Sequence, residues 1–321
     1  MGKLLKRAGF IIICAYVLAV SANAARMLIP GGQVVGLELG DNTVTVAAFD
    51  EELGSAAQAA GLKVGDKIVK IDGSAVHTAA DVRSALNKSD GRVAMTVQRD
   101  QKTDTVVLEP AITPEGPRLG IYLKQGVTGV GTVTWYDPDT KRFGTLGHGV
   151  NNSKGELLEM TGGNAYRAAV VSVRKGRSGA PGQLMGTLKD ANPIGTLYKN
   201  TQRGLFGTAL SGWAGDPLPT ANAKQIKTGP AVIRSTVAGD TVREYSVEIL
   251  KVYAGTASGR NLLLRITDPA LLDATGGIVQ GMSGSPIIQD GKLEGAVTHV
   301  LVNDPTTGYG IFIENMLDAA A

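Results

Sequence analysis

Two patterns of apolar and polar positions divide the chain. Across residues 35–108 short alternating runs are interrupted by two segments of helical spacing. Residues 35–48, after a flexible entry through Pro30-Gly31-Gly32, predict two strands joined at Gly40-Asp41-Asn42. Residues 55–60 predict a short Ala-rich helix, 61–66 a turn, and 67–71 a strand that ends at Asp72-Gly73. Over 78–86, Ala79, Val82, Ala85 and Leu86 fall on one helical face, and 93–98 and 105–108 return to strand. From Gly120 the helical period is lost. Short Gly-, Thr- and Val-rich runs at 131–136, 168–173, 195–198, 231–233, 244–253, 262–267, 285–289 and 295–302 predict a β-barrel or sandwich. Pro110, Pro114, Gly116 and Pro117 mark a linker between the two regions. The fold class is therefore mainly β: an α/β module at 26–110, a linker at 111–119 and a β-domain at 120–321.

Composition and charge alter this picture in three places. The chain has 43 glycines in 321 residues with no collagen period, which implies many tight turns between short strands. Its formal net charge is +3, but Lys3, Lys6 and Arg7 lie at the extreme N-terminus and the remainder is near neutral. No basic stripe with interleaved aromatics remains, which argues against nucleic acid as a partner. Residues 1–25 combine that basic start with an apolar run over 8–20 and the A-x-A pattern Ala22-Asn23-Ala24. They predict a signal peptide, cleaved or retained as a membrane anchor. The single cysteine, Cys14, lies inside this segment, so the exported part has neither a disulfide nor a thiol nucleophile.

The sharpest chemical feature is Gly281-Met282-Ser283-Gly284-Ser285-Pro286. Glycine on both sides of a serine allows a bend that exposes the hydroxyl and turns backbone N–H groups toward a developing oxyanion, here those of Gly281 and Ser283. A serine hydroxyl needs a base, and the chain offers three histidines. His77 stands at a turn before a helix and reads as a surface residue. His299 lies in the strand after the serine and reads as a strand residue that could line the substrate pocket. His148, in Gly147-His148-Gly149 at a strand end, is the favoured base. For the carboxylate that orients it, Asp190, Asp216, Asp240, Asp268 and Asp273 are candidates, and Asp268 closes an apolar strand before Pro269. No metal or organic cofactor is required by this chemistry, and no His-Glu-x-x-His or Cys/His cluster is present.

Two resemblances extend this reading. The run Ala59-Ala60-Gly61-Leu62-Lys63-Val64-Gly65-Asp66, continuing to Asp72-Gly73, resembles a PDZ domain of the bacterial protease type. That resemblance implies that Val35, Gly36 and Leu37 receive a peptide carboxylate beside the helix starting near Thr78, with the ligand extending a sheet edge. Phe143-Gly144-Thr145-Leu146-Gly147-His148-Gly149, the serine hexapeptide, the run from Gly295 to Pro305 and Gly308-Tyr309-Gly310-Ile311-Phe312 together resemble the SpoIVB peptidases of spore-forming bacteria. This second resemblance implies a chymotrypsin-like domain with the order histidine, aspartate, serine, matching His148, Asp268 and Ser283. It also implies secretion into the space between forespore and mother cell, and self-processing. The protein partners implied are a membrane-embedded regulator of an intramembrane protease, which is cleaved, and the chain itself, recognised through the PDZ module. Competing expectations are an inactive PDZ-containing envelope scaffold and an esterase using the same side chains.

Overall fold

The computed structural model describes residues 25–99, 102–152, 154–255 and 259–321. Residues 1–24, on which the expected signal falls, lie outside the described residues. No helix among the described residues is long and apolar enough to cross a membrane. The chain opens with β1 (Met27–Pro30) and β2 (Val34–Phe49), followed by α1 (Ser55–Ala59), β3 (Lys67–Ile71), β4 (Ser74–Ala75), α2 (Ala79–Lys88), β5 (Val93–Arg99) and β6 (Lys102–Leu108). Helix α2 starts where the sequence places it, because Thr78 and Asp81 form a reciprocal capping box. Its buried residues Val82 and Leu86 join Val44, Ile68, Ile71, Met95 and Val97 in the module's own core. The linker region folds as a hairpin, β7 (Ala111–Thr113) with β8 (Gly116–Arg118), and leads into the long strand β9 (Ile121–Tyr136).

The rest of the chain supplies β10 (Arg142–Thr145), β11 (Gly162–Arg174), β12 (Gln183–Thr201), β13 (Gly204–Ala209), β14 (Leu218–Pro219), β15 (Gly229–Ser235), β16 (Arg243–Val252) and β17 (Leu262–Ile266). It ends with α3 (Pro269–Thr275), β18 (Pro286–Gln289), β19 (Lys292–Leu301), β20 (Asp304–Phe312) and α4 (Ile313–Ala320). Strands β15, β16, β17, β20, β19 and β18 form a closed barrel. Alternation drives it: Tyr245, Val247 and Ile249 of β16 and Leu262, Leu264 and Ile266 of β17 all point inward. Nearer the N-terminus another ring, the first barrel, closes through the pairings β2–β9, β9–β10, β10–β13, β13–β12, β12–β11 and β11–β2, so that the closed barrel of β15 to β20 is the second. Leu37, Leu39, Val133, Phe143, Leu197 and Leu205 lie in the core of the first barrel. The protein is thus mainly β, with a PDZ-like module near the N-terminus and a barrel-built domain after it.

The strand pairing corrects the expected boundary at residue 26. Residues 35–48 are not two strands around a hairpin but parts of one strand, β2, with a pairing irregularity between Leu39 and Val44 where it lies against β9. Asp41 closes a local turn there by accepting from the N–H and hydroxyl of Thr43. Before that irregularity β2 belongs to the first barrel, paired with β11 and the second half of β9. Beyond it, β2 pairs with β3 and the first half of β9 inside the module. The module is therefore inserted between two strands of the first barrel.

One buried group in the second barrel gives a stability prediction. Glu294 on β19 is 2% exposed, and its Oε2 has no hydrogen-bond partner. Burial first, then the nearby Asp290, pushes its carboxyl up to about 7, against a smaller opposing effect of Lys292. A carboxyl raised in the folded state binds protons that the unfolded chain has already released, so stability falls as pH rises from the ordinary carboxyl range to about 7. Glu294→Gln should flatten that decline and stabilise the protein at pH 8 by up to roughly 3 kcal/mol. Urea unfolding at pH 5 and pH 8 measures it, and an unchanged slope in the variant would contradict it.

Candidate active site

The serine hexapeptide forms the turn into β18. Gly281 and Gly284 hold φ of 99° and 97°, left-handed values that side-chain-bearing residues rarely adopt. Met282 is fully buried in the second-barrel core, and Ser285 is buried with its hydroxyl bonded to that of Ser235 at 3.1 Å. Only Ser283 between them faces the cleft. The backbone is fixed by Gly284 N–H donating to Val297 carbonyl at 2.8 Å and Ser285 N–H donating to Met282 carbonyl at 3.0 Å. The N–H groups of Gly281 and Ser283 have no partner among the described residues. Two unpaired donors beside a serine hydroxyl are what an oxyanion site requires.

The first barrel grips this loop through a feature the sequence reading missed. Thr132 on β9 donates its hydroxyl to the Gly281 carbonyl at 2.7 Å and its N–H to the Ser283 carbonyl at 3.0 Å. Thr134, two residues on and on the same face, donates to the Gly284 carbonyl at 2.8 Å. Both threonines are fully buried. The threonines at alternate positions of a Val-rich strand were the available signal, since an inward Thr in an apolar core needs a hydrogen-bond acceptor.

His148 follows β10 and lines one cleft of about 700 Å³ with Ser283 and His299. Its Nδ1 lies 2.9 Å from the Gly149 carbonyl, an acceptor, so Nδ1 carries the proton and Nε2 is left free to accept one. Desolvation holds His148 below the ordinary imidazole range, opposed by that carbonyl. The rings of His148 and His299 lie 5.2 Å apart between centroids. His299 is also held low by desolvation, then by His148 and Arg260, although its ring stays partly open to solvent, which softens the shift. Ser283 Oγ donates to the Thr298 carbonyl at 2.8 Å.

Asp268 does not join them. It is the N-cap of α3, accepting from the N–H of Leu271 at 3.0 Å and of Ser246 at 3.3 Å. An Asp directly before a helix with Pro at its first turn is placed to satisfy free N–H groups, and that local demand takes the side chain here. Of the other candidates, Asp240 pairs with Lys189, Asp273 is exposed beside Lys175, and Asp190 accepts from the Asn192 N–H. No carboxylate acts on His148 among the described residues. Asp268→Asn keeps the cap, so we expect peptide hydrolysis within a few-fold of the parent, while Asp268→Ala should cost about 1 kcal/mol of stability. Loss of hydrolysis in a normally stable Asp268→Asn would return Asp268 to the catalytic group.

The expected carboxylate loop also moves. Val35, Gly36 and Leu37 lie near the start of β2, paired with β9 on one edge and β11 on the other. Both edges being occupied leaves no row of free N–H groups for a ligand. The groove beside α2 is instead lined by Val82 and Leu86, by Leu119-Gly120 and by the first residues of β9. Among the described residues the N–H groups of Leu119 and Gly120 have no partner, and the first half of β9 pairs with β2 on one edge only. His77 is exposed at the start of α2, as the sequence implied.

Two family models agree with this architecture. The family model of the SpoIVB peptidase S55 matches residues 115–317, and a PDZ domain model matches residues 51–99. Among solved structures, the chain is similar to the PDZ domain of the SdrC-like protein from Listeria monocytogenes, at 23% identity and TM-score 0.22 over 26% of this chain and 87% of that one. It is also similar to an inactive serine-to-alanine form of Rv3671c from M. tuberculosis H37Rv, at 15% identity and TM-score 0.33 over 59% of this chain and 79% of that one.

Proposed function

The chain belongs to the SpoIVB peptidase S55 family, and on that basis we propose that it is an exported serine endopeptidase in which Ser283 is the nucleophile and His148 its base. The observation that carries the reading is the pair of unpaired N–H groups at Gly281 and Ser283 beside a serine hydroxyl and an imidazole in one cleft. In the resting arrangement the Ser283 hydroxyl is held by the Thr298 carbonyl. Rotation about χ1 carries it toward Nε2 of His148, which takes the proton as Oγ attacks the peptide carbonyl. The oxyanion forms against the Gly281 and Ser283 N–H groups, His148 returns the proton to the leaving amine, and water then releases the acyl group by the same path. The Gly149 carbonyl fixes the imidazole tautomer and faces the cation that forms on His148.

The biological reading follows the family. The enzyme processes itself and cleaves a membrane-bound regulator, leading to late sporulation sigma-factor activation. The PDZ module takes a chain end at Leu119-Gly120, from that regulator or from a second copy of this chain, with the ligand strand added along the free edge of β9. Two observations favour the alternative of an inactive scaffold: Ser283 Oγ is bonded to Thr298 rather than to His148, and among the described residues no carboxylate supports that imidazole.

A fluorophosphonate probe separates the two. The expected result is covalent labelling of the parent chain, lost in Ser283→Ala and strongly slowed in His148→Ala. Because His148 is held low, labelling should stay fast below the ordinary imidazole range and fail only at more acid pH. A chain that takes no label would favour the scaffold.

A further inference from the structure

We infer that the mouth of the first barrel is a binding site for a short peptide acid, a unit with one aliphatic side chain, a free carboxylate and an acylated N–H. The site shares no lining residue with the cleft that holds Ser283 and His148, and the inference does not rest on the peptidase reading.

The first observation is a cation where the strand pattern calls for an apolar side chain. On β11, Ala165 lies opposite Leu37 of β2, and both are buried in the core of the first barrel. Arg167, two residues on, keeps the same face and lies opposite Val35, another residue of that core. Arg167 therefore stands on the inward side of the barrel wall, where the core gives way to a cavity of about 420 Å³. The residue is exposed, and its guanidinium has no partner among the described residues. Lys189, the other cation of the lining, is paired with Asp240, which lines the same cavity. One positive charge is left without a counter-charge. A free guanidinium takes a carboxylate through two parallel N–H bonds.

The second observation is the wall. Val35, Val133 and Ile194 give the cavity an apolar side, and the Trp213 ring adds an aromatic one. That ring is fixed against those of Tyr136 and Phe143, with centroids 5.2 and 4.9 Å away. An apolar wall with a few convergent polar groups at a barrel mouth is the usual build of a small-molecule site. The third observation is an unmet acceptor. Gln33 lines the same cavity, and its Oε1 is shielded from water with no hydrogen-bond donor. A buried oxygen left this way costs free energy that a ligand N–H recovers. A carboxylate for Arg167, a short apolar branch for the wall and an N–H for Gln33 come together on one small unit, the last residue of a peptide.

The test titrates the full chain with N-acetyl-L-valine, followed by calorimetry and by tryptophan emission. The chain has two tryptophans, and Trp135 is buried, so the emission change reports Trp213. Saturable binding is expected, tighter by about tenfold or more than that of N-acetyl-L-valinamide, which lacks the carboxylate. Isovalerate keeps the carboxylate and the branch but has no N–H, and it should bind several-fold more weakly than the acetylated acid. Arg167→Gln should weaken the acid by about the same tenfold and leave the valinamide unchanged. Because Arg167 is exposed, the variant should melt close to the parent. No saturable binding at millimolar concentration, or unchanged affinity for the acid in an Arg167→Gln chain of parental melting temperature, would overturn the inference. Isovalerate binding as tightly as N-acetyl-L-valine would also overturn it, because the site would then read a simple fatty acid.

Discussion

Ser283→Ala and His148→Ala should each lower kcat/KM for peptide hydrolysis by about 10⁴-fold or more, with the double variant no worse than either single one. The reasons differ for the two residues. Without Oγ there is no atom to form the acyl intermediate. Without the imidazole the hydroxyl keeps its proton and remains a weak nucleophile near neutral pH. Residual hydrolysis would come from the Gly281 and Ser283 N–H groups, which both variants retain. Neither substitution opens the core, since Ser283 and His148 both face the cleft, so melting temperatures should remain close to the parent's. Steady-state kinetics beside thermal melts provide the check. Additive losses in the double variant would show that the two residues do not act as one unit.

Gly284→Ala should be the most damaging single methyl group in the site. Position 284 holds φ of 97°, and a Cβ there would collide with the Thr132 carbonyl and lie 2.6 Å from the Leu146 backbone nitrogen. Backbone cannot yield as a side-chain tip can, so the two barrels must separate locally or the turn must change. Either movement breaks the bonds from Thr132 and Thr134 that hold the loop. A cost of at least about 3 kcal/mol and loss of hydrolysis are expected together. Urea unfolding of Gly284→Ala beside Ser283→Ala measures both effects. A variant of parental stability would mean that the barrels are not locked at this point.

The sequence made the site's two ends legible because each is a local signal. The glycines around Ser283 and His148 encode backbone shape within a few residues, and the structure brings both side chains to one cleft with His299. The helix at Thr78 was equally readable, since its capping box is complete within the run Thr78–Asp81. What could not be read depends on distant pairing. Strand β9 was visible only as 131–136, yet it begins at Ile121 in the PDZ module and ends at Tyr136 in the first barrel. Its first half carries Lys124, Gln125 and Gly126 in succession and alternates only weakly, so periodicity alone missed it. Strands β13 and β20, absent from the sequence reading, are defined by the neighbours they pair with in the two barrels, while β10 was visible only as the strand end before His148. Val35-Gly36-Leu37 shows the same limit: a Gly between apolar residues suits a carboxylate loop or a buried strand, and only the pairing with β9 and β11 separates them. Asp268 shows it for chemistry, because a helix cap and a buried orienting carboxylate share a residue type and a strand-end position.

Strand β9 also joins the parts of the molecule that the proposed function uses. It begins beside the α2 groove, lines the cleft at Val127, Gly129 and Val130, and reaches the nucleophile loop at Thr132 and Thr134. The module is thus covalently and sterically continuous with the site it accompanies.

The most direct measurement is to trap the covalent intermediate. The parent chain is mixed with an activated ester of a small apolar acyl group, quenched in acid within the burst phase, digested and mapped by mass spectrometry. The acyl mass is expected on the peptide that contains Gly281 to Pro286, located at Ser283, and absent from Ser283→Ala. Turnover of the ester with no acyl group on Ser283, or the same adduct on another residue in Ser283→Ala, would contradict the assignment of Ser283 as the nucleophile.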